Sequence, residues 1–295
     1  MSDNKMNWDE TICFIRTQPE YKELVEKAYF EEELSLNVER FKTSEEFAET
    51  QLLISRHTKL DSKTKLLDIG SGNGISAVAF ALKDINVDSI EPDPSDTIGA
   101  GAIRKLKEHY NLTNLNIHQA YAEEIKFEDN FFDIVYARQC MHHAYNLELF
   151  LKECARVLKD GGVLITVRDH VVYNEIDKEW FLENHPLQKF YGGENAFSEE
   201  EYKSAIINSG LKVKKVLKHF DSVINYFPLS KKEKEAKENT NKVFVESIIK
   251  NKLGVLSKLK IVNKLATVYV KNKLGEVFDE RKVPGRMYTF IAVKE

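Results

Sequence analysis

Two rhythms of apolar residues run through this chain of 295 residues. Short continuous apolar runs read as buried strands, and apolar residues three or four apart read as one face of a helix. The runs are Leu66–Ile69, residues 86–93 (NVDSIEPD), 115–119, 131–137 (FFDIVYA), 163–167 (VLITV), 211–224 and 286–293 (RMYTFIAV). Between them, Ile75, Val78, Ala79 and Leu82 predict a helix, as do residues 97–110. Leu147, Phe150, Leu151, Cys154, Val157 and Leu158 predict another, which Asp160-Gly161-Gly162 is expected to end. A helix over 199–209 is framed by a capping box, Ser198 with Glu201, and by Gly210 as stop signal.

Residues 1–60 read as helices ahead of the first strand, with Thr43 as N-cap and Glu46 as its capping-box partner. They are expected to pack on the sheet and to cover a site from which water is excluded. Residues 171–197 are irregular and aromatic. The expected organisation is an N-terminal helical cap over 1–60, a sheet core over 61–225, a helical insertion over 226–280, and a final core strand over 281–295.

The stretch LLDIGSGNG, residues 66–74, is strand followed by glycine turn. Gly70, Gly72 and Gly74 let backbone N–H groups approach a ligand, since no Cβ intervenes. Asp68 ends the strand, placing a carboxylate where a ligand carries amine or positive charge. A dinucleotide fingerprint needs glycine at the sixth position, and Ile75 stands there. An NAD-type oxidoreductase or epimerase is the alternative enzyme reading, and Asp68 and Ile75 oppose it. Glu91 follows the second strand, where a carboxylate accepts from both hydroxyls of a ribose.

Composition adds compartment and charge. Apolar content of 42% supports a sizeable core, and 31% charged residues suit a protein in water. Cys13, Cys140 and Cys154 form no C-x-x-C pair, which reads as reduced thiols in the cytoplasm. The first ten residues lack a signal-peptide core, and no apolar run reaches the ~20 residues of a membrane span. Residues 231–275 hold twelve lysines, no arginine and four acidic residues, a net +8 within a chain of −4. They are expected to be helical with a break at Gly254, Phe244–Ile248 and Ala266–Val270 sharing faces. Solvated lysines are one reading of this segment; attraction to an acidic or lipid-associated acceptor is the other. The missing arginines point away from nucleic acid.

Together, LLDIGSGNG, IEPD, AEEI, FDIVYARQCMHH and RVLKDGGVLIT resemble the class I S-adenosylmethionine (SAM) methyltransferase family, in its small-molecule branch (methyltransferase type 11-like). The resemblance implies an α/β, doubly wound seven-stranded Rossmann-like sheet whose last strand is antiparallel. It implies SAM as cofactor and S-adenosylhomocysteine as product, with a small-molecule acceptor. It places Asp68, Gly70, Ser71, Gly72 and Gly74 around the methionine part, Glu91 and Pro92 at the ribose, and Ala122 and Glu123 beside adenine. Arg138 and Gln139 would contact the methionine end. Tyr121 stands where the family usually has Asp, and Arg138 where it often has Asn. A non-catalytic SAM-binding protein shares all these marks.

A sulfonium carries its methyl group already activated, so alignment supplies most of the catalysis and a base serves a hydroxyl acceptor. His142, His143 and His170 are the candidate bases. The adjacent pair His142–His143 shows no third ligand at metal spacing, so no metal is expected. Tyr29, Trp180 and Tyr191 are expected to wall the acceptor pocket.

Overall fold

The computed structural model describes residues 6–274 and 277–295. Seven strands form one sheet: β1 (Lys65–Ile69), β2 (Asn86–Ile90), β3 (Leu115–His118), β4 (Phe132–Arg138), β5 (Leu158–His170), β6 (Leu211–Leu217) and β7 (Met287–Lys294). The helices are α1 (Trp8–Thr17), α2 (Lys22–Lys27), α3 (Leu34–Lys42), α4 (Glu45–Ser55), α5 (Ile75–Ala81), α6 (Ala100–His109), α7 (Leu147–Val157), α8 (Glu175–Asn184), α9 (Pro186–Phe190), α10 (Glu199–Asn208), α11 (Val223–Tyr226), α12 (Lys231–Leu253) and α13 (Lys260–Leu274).

The sheet order is β3-β2-β1-β4-β5-β7-β6. The first five strands are parallel to one another; β7 runs antiparallel to both β5 and β6. This is the doubly wound α/β sheet expected. Strand order reverses between β1 and β4, where Asp68 pairs with Tyr136 and Ile69 with Ala137. The carboxyl ends of these two strands open the crevice in which such sheets take ligands. β1 and β4 are buried on both faces, which is why they read as unbroken apolar runs.

Several boundaries differ from the sequence reading. Helix α7 stops at Val157 with Leu158 already extended, so Gly161-Gly162 is not its cap. The two glycines lie within β5, where the pairing jumps from Phe132↔Leu158 to Ile134↔Val163. Gly162 sits so close to Leu158 and to the Lys159 carbonyl that a Cβ would meet them at 2.9 and 2.8 Å. Strand β6 ends at Leu217, and residues 219–226 turn into short helical segments instead of extending it. Asn225 fixes that turn, donating its amide to the Leu217 and Lys218 carbonyls. The capping box at Ser198–Glu201 is present. The one expected at Thr43 is not: Ser44 caps α4, accepting from the Phe47 N–H at 3.1 Å, and Glu46 is turned inward.

The chain divides into two compact units, Met1–Asn225 with Gly285–Glu295, and Tyr226–Pro284. In the second, α12 ends at Gly254 as expected. Its buried seam is Val245, Ile249 and Val270, with Ile248, Leu253 and Ala266 against it. Phe244 is exposed, one position off that seam. Among the described residues, no helix is long and apolar enough to cross a membrane.

Candidate active site

The glycine turn after β1 is built by backbone conformation. Gly70, Gly72 and Gly74 have φ of +62°, +54° and +84°, the left-handed region that side chains resist. Gly70 is also a point of close approach, since a Cβ there would lie 2.2 Å from Cys140 Sγ at the end of β4. The two strand ends that flank the crevice therefore touch through a glycine.

Asp68 is fully buried. Its Oδ2 accepts from the Ser76 hydroxyl at 2.7 Å, and its Oδ1 has no hydrogen-bond partner. Burial pushes its pKa up to about 7, against the opposing pull of the Ser76 and Ser71 hydroxyls and Arg138. An orphaned buried acceptor at a glycine turn fits a ligand bringing an N–H or a positive charge. Ser71 is a tie within the turn: it donates to the Asp68 carbonyl at 3.0 Å and pairs with the Ser89 hydroxyl at 2.7 Å.

Glu91, just past β2, accepts from the Gly72 N–H at 2.7 Å and from the Asp93 N–H at 2.9 Å. One carboxylate thus clamps the glycine turn to the β2 loop. Burial raises it to about 7 despite those two donors. Pro92 is half-buried beside it, its carbonyl accepting from Gln119 at 3.2 Å. Ala122 is buried. Glu123 is committed elsewhere: Oε1 accepts from the Tyr145 N–H at 3.0 Å and the Asn146 N–H at 3.4 Å. Tyr121 is exposed, edge-on to Tyr145.

The Arg138 side chain is engaged within the protein. It forms a two-bonded pair with Glu46, Nε to Oε1 at 2.6 Å and Nη2 to Oε2 at 3.1 Å. Its Nη1 donates to Gln139 Oε1 at 3.0 Å. Tyr29 lies beneath the guanidinium, fully buried against Phe41, and its carbonyl accepts the Asn73 amide at 2.6 Å. Tyr29 is thus a buried prop of the glycine turn. Tyr191 stacks on Trp8 of α1 at 4.5 Å. Its phenol is raised by burial, then by Asp93, Tyr121 and Glu91. Trp180 is nearly half exposed on α8.

The three histidines do converge. His142 and His170 have ring centroids 4.8 Å apart, and His142 and His143 4.1 Å. They differ in protonation. Burial alone would lower His142, but attraction to Asp169 and Glu194 prevails and lifts it to about 9. His142 is thus held between two carboxylates, with Nδ1 3.0 Å from Asp169 Oδ1 and Nε2 3.7 Å from Glu194 Oε2. His143 is lowered to about 4, first by its surroundings and then by charged His142. His170, buried, is lowered well below the usual range for the same reasons.

Two partners were missed in the sequence. Glu194, at 7% exposure, has its Oε2 3.7 Å from His142 Nε2 and 4.0 Å from His143 Nε2, and its Oε1 3.5 Å from His185 Nδ1. The expectation that His142 and His143 have no third metal-type ligand nearby is thereby corrected. The only sequence signal was the Gly192-Gly193 turn just before Glu194, which implies a chain reversal but no destination.

Comparison with known proteins fits this geometry. Residues 67–166, from β1 into β5, match the methyltransferase-domain family. Over these residues the chain is similar to a methyltransferase domain. An uncharacterized methyltransferase, YcgJ of Bacillus subtilis (strain 168), is 30% identical over 46% of this chain and 53% of its own length. The ubiquinone biosynthesis O-methyltransferase of Rickettsia prowazekii (strain Madrid E) is 30% identical over 35% of this chain and 39% of its own. The chain thus spans about half or less of the curated relatives that the domain matches. In solved structures, the methyltransferase fold recurs in a geranyl diphosphate C-methyltransferase from Streptomyces coelicolor A3(2). That likeness has a TM-score of 0.54 at 13% identity, covering 84% of this chain and 77% of that one. It also recurs in the [4+2]-cyclase SpnF, with TM-score 0.53 at 18% identity, covering 83% and 80%.

Proposed function

We propose that this protein binds SAM at the β1–β4 crevice and transfers its methyl group to a small-molecule acceptor. The observation that carries the reading is Asp68: a buried carboxylate with an unsatisfied oxygen, at the foot of a turn whose three glycines are all left-handed. Asp68 and the turn would hold the amino-acid part of SAM, and Glu91 with Pro92 the ribose. Adenine would lie along Ala122, with Tyr121 rather than Glu123 at its edge, because Glu123 is engaged by backbone N–H groups.

SAM, when bound, supplies a methyl group on a sulfonium. The chain's own contribution is orientation and exclusion of water. The N-terminal helices support the second task. Phe14 and Tyr21 meet Phe190 edge-on, and the Met6 N–H donates to the Phe190 carbonyl at 3.0 Å. We read this aromatic lid as the cover over the acceptor. Of the candidate bases His142, His143 and His170, His143 is the one whose side chain is a third exposed and so open to an acceptor.

A second reading refines the acceptor to a lipid-associated molecule. It is favoured by Leu256, Leu259, Ile261 and Leu265, exposed among the lysines of the second unit. Apolar side chains interleaved with lysine suit an anionic lipid surface.

The test of the main reading is calorimetric titration of the purified protein with SAM and with NAD. Micromolar binding of SAM, lost when Asp68 and Glu91 are both replaced by alanine in a folded sample, is expected. NAD binding without SAM binding overturns it.

A further inference from the structure

The histidine cluster has the internal order of a metal centre. Three histidines each commit Nδ1 to an oxygen acceptor: His142 to Asp169 Oδ1, His143 to the Gly193 carbonyl and His170 to the Gly285 carbonyl, all at 3.0 Å. A histidine held this way keeps its proton on Nδ1 and turns Nε2 outward, as metal-bound imidazoles do; an ion would displace any proton that Nε2 of His142 carries beside the carboxylates. For His142 and His143, what Nε2 faces is a single atom, Glu194 Oε2, at 3.7 and 4.0 Å.

Those separations are too long for hydrogen bonds. They are near what a shared ion imposes: donors about 2.1 Å from one tetrahedral ion stand about 3.4 Å apart. Glu194 Oε2 is buried and has no hydrogen-bond partner, although it lies among imidazoles. A buried carboxylate oxygen left unsatisfied beside two imidazole nitrogens is the pattern that a bound cation completes.

The ligands come from two places in unit 1, the turn after β4 and the loop after α9, and Asp169 near the end of β5 orients His142. Partial exposure of His143 gives an ion a way in. On the other side of the same carboxylate, His170 and His185 form an overlapping set with Glu194.

We propose that His142, His143 and Glu194 form a binding site for a divalent transition-metal ion. Two imidazoles and a carboxylate select zinc, iron(II), nickel(II) or cobalt(II) over magnesium or calcium, which prefer all-oxygen sites. Neither Asp68 nor Glu91 contributes to this site.

The test uses the full chain stripped of metal by chelation. Zinc(II) is titrated calorimetrically, and cobalt(II) is followed by its visible absorption. The expected result is one zinc bound per chain, with cobalt absorption in the range of low-coordinate nitrogen and oxygen ligation. His143→Ala, at a partly exposed position that spares the core, is expected to weaken zinc at least about tenfold. Glu194→Ala is expected to abolish binding, and Asp169→Asn to weaken it about 10–100-fold by releasing His142. Failure of the wild-type protein to bind zinc overturns the proposal, and so does wild-type zinc affinity in folded His143→Ala. Loss of SAM binding in the wild-type protein would instead overturn the methyltransferase reading and leave the zinc result standing.

Discussion

Glu46 and Arg138, 92 positions apart in sequence, meet in a buried two-bonded ion pair that ties helix α4 to the end of β4. The Glu46 side chain is fully buried and that of Arg138 only 10% exposed. Breaking such a pair leaves an uncompensated buried charge, at a cost of about 3–5 kcal/mol. Glu46→Ala should therefore lower unfolding stability by that amount in urea titration. A paired replacement by apolar residues of similar volume, Glu46→Leu with Arg138→Met, should restore most of it. If Glu46→Ala costs less than about 1 kcal/mol, the pair does not anchor the N-terminal helices.

Gly70 tests the crevice itself. Gly70→Ala adds a methyl group 2.2 Å from Cys140 Sγ at a positive φ. Both stability and SAM affinity should fall. Adding Cys140→Gly should return part of the loss, leaving the backbone term of about 1–2 kcal/mol. A double-mutant cycle on melting and SAM binding reads the coupling; strict additivity would mean that the two strand ends do not touch.

Asp68 gives the site a pH dependence. Its pKa in the fold, about 7, stands above the 3.8 of a free aspartate, so the folded chain binds the extra proton between those values. Stability from this group is therefore fully present below about pH 4 and declines as pH rises toward 7. A cationic cofactor needs the ionised form, so SAM affinity should weaken as pH falls from 8 to 6. Glu91, also raised to about 7, adds to the trend. Asp68→Asn should bind SAM more weakly at pH 8 and with a shallower pH slope. An unchanged slope in this variant removes Asp68 from the binding site.

Glu123 separates two roles. Its carboxylate accepts backbone N–H groups at the start of α7. Glu123→Ala should cost about 1–3 kcal/mol of stability by leaving those donors unsatisfied, with little change in SAM affinity. A large loss of affinity with unchanged melting would return Glu123 to the adenine pocket.

The second unit should bind vesicles containing anionic lipid, and binding should weaken steeply with salt. Replacing Leu256 and Ile261, both exposed, by serine should reduce it further. Flotation shows the result; equal recovery with neutral vesicles, insensitive to salt, counts against a lysine-driven surface.

Much of this was legible in the chain because it is local. β1 and β4 are continuous apolar runs, and the glycine spacing declares its turn within nine residues. Errors arose where a distant partner decided a local choice. Glu46 has the spacing of a capping residue from Thr43, but a buried arginine on β4 claims it. Gly161-Gly162 looks like a helix stop, yet the bulged pairing of β5 with β4 claims it. Phe244 has the right period for the α12 seam, but helix rotation against α13 puts Val245 there instead. Glu194 and His185 carried no local pattern, because only the tertiary fold brings them to His142.

The position of β7 has a consequence for synthesis. Strand β6 leaves the ribosome about seventy residues before β7, yet β7 is the strand it lies against, wedged between it and β5. Until those closing residues emerge, β6 has no seat and β5 shows a bare edge. A nascent chain should thus hold a glycine turn and a half-built sheet while Tyr226–Pro284 is still being made. In that interval it would be most open to chaperone capture, and least able to retain a cofactor.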